Sequence, residues 1–149
     1  MRTAVVVVLA LFAGLLAAAA AGSSYLLTVT AEDGQRLWSL PVRPGDEVVL
    51  AYTNSIYLAP TEERLILSRT GFTLTEVRST SEAVLAYNRL DPPFSRRGAF
   101  YSARASAHLA ELVLRIGHTG RQRLIVRGQE LLLYEAGEGT QLRVLVVRR

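Results

Sequence analysis

The fold reading turns on residues 25–41. They run Tyr25-Leu26-Leu27-Thr28-Val29-Thr30-Ala31, then Glu32-Asp33-Gly34-Gln35, then Arg36-Leu37-Trp38-Ser39-Leu40-Pro41. Two short segments rich in apolar and β-branched residues flank an Asp-Gly pair. That pair is a strong hairpin signal, because a tight two-residue hairpin turn needs positive φ at its centre. The same style continues along the chain. Pro44-Gly45-Asp46 makes a turn before the strand Glu47–Asn54, and residues 61–68 and 72–78 read as two more strands about Arg69-Thr70-Gly71. Further on, Leu112, Leu114 and Ile116 alternate with Val113, Arg115 and Gly117, the period of a strand with one buried face. Gly117-His118-Thr119-Gly120 turns into 122–127, Gly128-Gln129 leads to 131–134, and 141–147 closes the pattern. Eight or nine short strands at this spacing predict an all-β fold, a single antiparallel β-sandwich or barrel-like domain.

Residues 79–110 break the rhythm and are too long for an ordinary connection. Ser79-x-x-Glu82 has the form of a capping box opening a short helix through Tyr87. Asp91-Pro92-Pro93 then forbids helix or central strand. Ser95-Arg96-Arg97-Gly98 reads as an exposed tip, with Phe94, Phe100 and Tyr101 folding back over the sheet. The segment is expected to be a functional loop or a lid over one end of the domain.

Ahead of the β pattern, no charged residue occurs between Arg2 and Glu32, and residues 4–21 are unbroken apolar or Gly. That length can cross a bilayer as a helix. A cationic start, an apolar middle and Ala19-Ala20-Ala21 before Gly22 also match a secretory signal. Residues 1–24 are therefore expected to be a signal peptide or N-terminal membrane anchor, and 25–149 the β domain. Arg2 keeps the N-terminus inside, so either outcome exports the domain, to the periplasm or to the periplasmic face of the inner membrane.

The chain of 149 residues has no Cys, which removes disulfides, thiolate catalysis and cysteine-based zinc sites together. Net charge is +4, all seventeen basic residues are Arg, and they are spread along the chain. Nucleic-acid binding expects a clustered stripe, so that class is set aside, whereas attraction to an anionic membrane surface is compatible.

Ser55 follows a strand end but has no G-x-S-x-G elbow and no neighbouring base, so Asn54-Ser55 reads first as turn chemistry. Glu62 and Glu63 are adjacent, so in a strand they point to opposite faces and cannot act as a catalytic pair. One is expected to face solvent and the other to meet an arginine such as Arg78. His108 and His118 are the only histidines, too few to mark a metal site. Neither glycine-rich phosphate motif occurs. No cofactor is indicated.

The segment Val48-Val49-Leu50-Ala51-Tyr52-Thr53-Asn54-Ser55-Ile56-Tyr57-Leu58-Ala59-Pro60-Thr61-Glu62-Glu63 resembles the signature of a small exported family, domain of unknown function 1850. The family shows an apolar strand, a His-Ser-Val step, a Thr-Pro-Val step and a glutamate opening the next strand. Its tail, with Leu-rich strands, an Arg-x-Gly turn and a Leu-Tyr-Glu strand, is similar to 112–135 here. The resemblance spans 25–147, although only 52–63 is distinctive. Asn54 stands where the family has histidine, and Thr80-Ser81-Glu82-Ala83-Val84 replaces its Gly-Ala-Gly-Leu-Pro-like segment. Ser55, Pro60 and Glu63 carry over. With Asn54 in the altered position, Tyr57 in the same segment and Arg78 as a carboxylate partner, they form the candidate binding set. Members of the family are commonly encoded beside TRAP-type transporters that use a TAXI-class solute receptor. The resemblance thus implies a non-enzymatic exported accessory or binding protein, partnered by a TRAP transporter subunit or TAXI receptor. The alternatives are a structural envelope interaction domain and a hydrolase using Ser55.

Overall fold

The computed structural model describes residues 24–149. The expected signal or anchor segment, residues 1–24, lies outside the described residues except for Ser24. Among the described residues eleven strands form: β1 (Tyr25–Ala31), β2 (Arg36–Val42), β3 (Glu47–Asn54), β4 (Ala59–Ser68), β5 (Gly71–Ser79), β6 (Ser95–Arg97), β7 (Phe100–Leu109), β8 (Glu111–Arg115), β9 (Arg123–Val126), β10 (Gln129–Leu132) and β11 (Gln141–Arg148). One short helix, α1 (Glu82–Tyr87), and a 3-10 turn at Leu133–Ala136 interrupt them.

The strands make two antiparallel sheets, one of four strands ordered β2-β1-β11-β8 and one of seven ordered β10-β9-β3-β4-β5-β7-β6. Their facing sides share one core. Leu27, Val29, Val42, Leu112, Leu142 and Val144 of the smaller sheet pack against Val48, Leu50, Leu65, Leu67, Phe72, Leu124 and Val126 of the larger. Each fully buried side chain of this kind contributes about 1.5–3 kcal/mol. The fold is all-β and sandwich-like, as the alternating pattern predicts. The Asp33-Gly34 hairpin is present: Gly34 takes φ +85°, and its N–H donates to the Ala31 carbonyl at 2.9 Å.

The 79–110 segment differs from the expectation. α1 runs through Tyr87 as read, but no capping box forms, because the residue preceding the helix is Ser81 and its side chain makes no cap bond. The Ser79 hydroxyl is buried instead. It donates to the Pro60 carbonyl at 3.1 Å and accepts from the Ser81 N–H at 3.3 Å. The remainder is neither a plain loop nor a lid. β7 pairs along the whole of β5, and β6 folds back on β7, so most of the segment extends the sheet. Residues 131–134 also divide, with strand ending at Leu132 and the 3-10 turn taking over at Leu133.

A bulge in β5 sets the chemistry of the larger sheet. Leu65 faces Leu74 and Arg64 faces Glu76, with Thr75 as the extra residue between. Without a bulge, positions 74 and 76 would share a face. The extra residue leaves Leu74 on the core side beside Leu65 and sends Glu76 to the outer side beside Arg64.

Candidate functional site

The outer face of the seven-stranded sheet carries a ladder of alternating charges. On β4, period two places Glu62 and Arg64 outward, and β5 answers with Arg78 and Glu76 at the paired positions. Arg64 is held by three carboxylates, Glu47 at 2.9 Å, Glu76 at 3.6 Å and Glu62 at 3.7 Å. Arg78 lies 3.4 Å from Glu62, and its guanidinium stacks 4.9 Å from the centre of the Phe100 ring. Towards the other edge, Arg123 of β9 pairs with Glu130 of β10 at 2.8 Å.

The face is concave. Phe100 of β7 and Glu130 of β10 line one groove of about 430 Å³, together with Pro60, Glu62, Arg121 and Arg123. These strands stand five places apart in the sheet order, which in a flat sheet would be about 24 Å. Phe100 also closes the end of a second groove of about 490 Å³, lined by Arg64, Glu76, Arg78, Arg96, Arg97 and Arg104. The two grooves therefore meet at one aromatic ring. The face is acidic and basic in balance on one side of it and dominated by arginine on the other.

The core-facing side holds a different polar feature. Tyr52 donates its hydroxyl to Glu63 Oε1 at 2.8 Å in a part-buried position. Burial raises the Glu63 carboxyl above its ordinary range, while the Tyr52 bond pulls it partly back. Burial first, and then the Glu63 charge and hydrogen bond, hold the Tyr52 phenol well above its usual range. Tyr52 is therefore a fixed donor, and Glu63 holds its proton to higher pH than an exposed carboxyl does.

The turn between β3 and β4 is built by Asn54. Its Oδ1 accepts the N–H groups of Ile56 and Tyr57, both at 3.0 Å. Ile56, Tyr57 and Leu58 project into solvent, and the Tyr57 ring meets Tyr87 of α1 edge-on at 6.3 Å. Among the described residues Ser55 has no hydrogen-bonded histidine or carboxylate. Asn54 and Ser55 border a hollow of about 240 Å³ with Arg115 and Gln122.

No family model, curated protein or solved structure matches this chain.

The six candidate residues thus fall in three places. Asn54, Ser55 and Tyr57 share the β3–β4 turn. Pro60 and Arg78 reach the concave face, in different grooves. Glu63 points the other way, to Tyr52. The expected division between Glu62 and Glu63 is also corrected, because the outward Glu62 is the one that meets Arg78, while Glu63 turns inward to a tyrosine rather than an arginine. His118 pairs with Glu138 at 3.5 Å on the surface. No cluster of three or more His, Cys, Asp or Glu suited to a metal occurs among the described residues. The sequence reading missed Arg64, Arg104 and Arg123, and placed Phe100 only as a residue folding back over the sheet. For Arg64 the signal was present as charge at alternate positions, Glu62/Arg64 and Glu76/Arg78, which places like-spaced charges on one strand face.

Proposed function

We propose that the chain is an exported, non-enzymatic binding module, an accessory of a TRAP-type solute transporter or its TAXI-class receptor. In this reading, residues 1–24 are a signal or membrane anchor and 25–149 a single β-sandwich held on the periplasmic side. The observation that carries it is the concave outer face, two adjoining grooves of a size suited to small ligands and lined by charged side chains. The transporter assignment rests on the sequence resemblance at 52–63. No nucleophile–base contact among the described residues supports the hydrolase alternative, whose Ser55 stands alone on its turn.

The envelope-domain alternative draws on sheet edges, because unpaired strands recruit other chains. β10 and β8 are edges of four and five residues, but β2 offers seven, and β6 covers only Phe100–Ser102 of β7, which leaves 103–109 without a paired strand on that side among the described residues. The envelope-domain alternative therefore has two long edges to draw on, and the binding reading rests on the concave face.

The test is crosslinking in native membranes with a C-terminal tag on the full chain, followed by identification of captured proteins and the mass of the tagged chain. Capture of a transporter subunit or solute receptor is expected. Capture of neither, from membranes that contain both, overturns the accessory assignment. The mass reports whether residues 1–24 have been removed.

A further inference from the structure

The second groove holds more cation than the protein can answer. Arg64, Arg78, Arg96, Arg97 and Arg104 line it, with Glu76 as the single acid among them. Glu76 lies against Arg64, which Glu47 and Glu62 also hold, and Arg78 is met by Glu62. Among the described residues the remaining three arginines have no carboxylate partner. Arg96 donates only to the Gly98 carbonyl at 3.3 Å and stacks over Tyr101 at 5.2 Å. Arg97 and Arg104 are exposed and make no side-chain hydrogen bond or ion pair among the described residues. Glu76, the acid directly across the strand pair from Arg104, is turned to Arg64 instead.

Like charges gathered on one wall repel one another, and their guanidinium forks suit planar oxyanions in bidentate contacts. The wall stands on strands, with Arg104 in β7 and Arg97 in β6, while the floor arginines Arg64 and Arg78 are held by ion pairs and, for Arg78, by stacking on Phe100. The excess is also local. Beyond Phe100, Glu62 and Glu130 balance Arg121 and Arg123, so no basic track continues for a polymer to follow.

We propose that this groove binds a small polyvalent oxyanion, a molecule bearing two or more carboxylate or phosphate groups, held by Arg97 and Arg104 with Arg96 at the rim. This deepens the binding-module reading and rests on it, but it does not depend on the transporter assignment.

The test uses the full chain in mild detergent and isothermal titration with citrate and with inorganic pyrophosphate at about 0.15 M salt, where exposed charges are screened beyond about 8 Å. Acetate serves as the monovalent control. R97Q and R104Q are made singly and together, with R143Q, on the opposite sheet, as the surface-charge control, and each is checked for an unchanged thermal midpoint. Binding of citrate or pyrophosphate is expected, with acetate much weaker. About tenfold loss in affinity is expected for each groove variant and none for R143Q. Failure of both polyvalent probes to bind the folded wild type overturns the proposal, as does binding that R143Q weakens as much as R104Q does. Binding of anionic-lipid vesicles or of single-stranded oligonucleotide that needs Arg97 and Arg104, while neither small probe binds or competes, also overturns it and assigns the surface to a membrane or a polymer. Transporter capture without oxyanion binding would leave the accessory assignment standing and remove only the ligand. Oxyanion binding without capture would do the reverse.

Discussion

Replacing Tyr52 by Phe isolates one hydrogen bond while keeping the ring that packs against the core. In the wild type the hydroxyl donates to Glu63 Oε1 at 2.8 Å, part-buried between β3 and β4. A bond to an ionised group contributes about 1.5–3 kcal/mol, and one between neutral groups about 0.5–1.5 kcal/mol. Burial has raised the Glu63 carboxyl above its unfolded value, so its stabilising form is the protonated one. That contribution is complete below the unfolded carboxyl pKa and is lost as pH rises through the folded value. The Tyr52 bond lowers the folded value, so Tyr52→Phe must raise it further and enlarge the loss on the alkaline side. The penalty of the substitution is therefore expected to grow with pH, from about 0.5–1.5 kcal/mol where Glu63 is protonated to about 1.5–3 kcal/mol where it is ionised. Urea unfolding of wild type, Tyr52→Phe, Glu63→Gln and the double variant between about pH 4 and pH 8 measures this as a double-mutant cycle. In the Glu63→Gln background the Tyr52→Phe cost should be flat with pH, because the amide accepts the hydroxyl without titrating. A Tyr52→Phe penalty that stays constant across the range, or that shrinks as pH rises, would refute the reasoning.

Three further outcomes follow from the same geometry. Gly71 takes φ +139°, and an added Cβ would run into the Leu109 carbonyl oxygen, so Gly71→Ala should cost about 2–3 kcal/mol by urea unfolding, and a cost near zero would contradict the β5–β7 packing. Asn54→Ala removes the acceptor for two amides, at about 1 kcal/mol, and hydrogen exchange should speed up at Ile56 and Tyr57 while β3 keeps its protection. Arg64→Met leaves three outward carboxylates without their shared cation and should cost about 1 kcal/mol at low salt, with the cost shrinking in about 1 M salt as screening relieves their repulsion.

Much of the architecture was legible because the strands obey local rules. The Asp33-Gly34 hairpin, Glu47–Asn54 and the alternation at 112–116 needed only turn chemistry and period two. β7 was not legible. Phe-Tyr-Ser-Ala-Arg-Ala-Ser-Ala-His-Leu has no β-branched residue and no fully buried position, so its strand state comes from pairing with β5 rather than from propensity. The bulge at Thr75 left a trace in the sequence, since the apolar positions Phe72 and Leu74 are followed by Val77, a step of three where a regular strand steps by two.

The candidate site divides along the same line. By itself the sequence determined that Glu62 and Glu63 must part to opposite faces, that Asn54 would serve its own turn, and that the chain would close as an antiparallel β-sandwich or barrel around alternating apolar positions. These follow from bond geometry over a few neighbouring residues. Only the tertiary structure decided that Glu63 meets Tyr52, that Glu76 turns to Arg64 and leaves Arg104 unanswered, and that Phe100 joins two grooves. Those contacts span β3 to β7, and their register depends on bulges and sheet curvature, which arise when strands distant in sequence are forced to share one core.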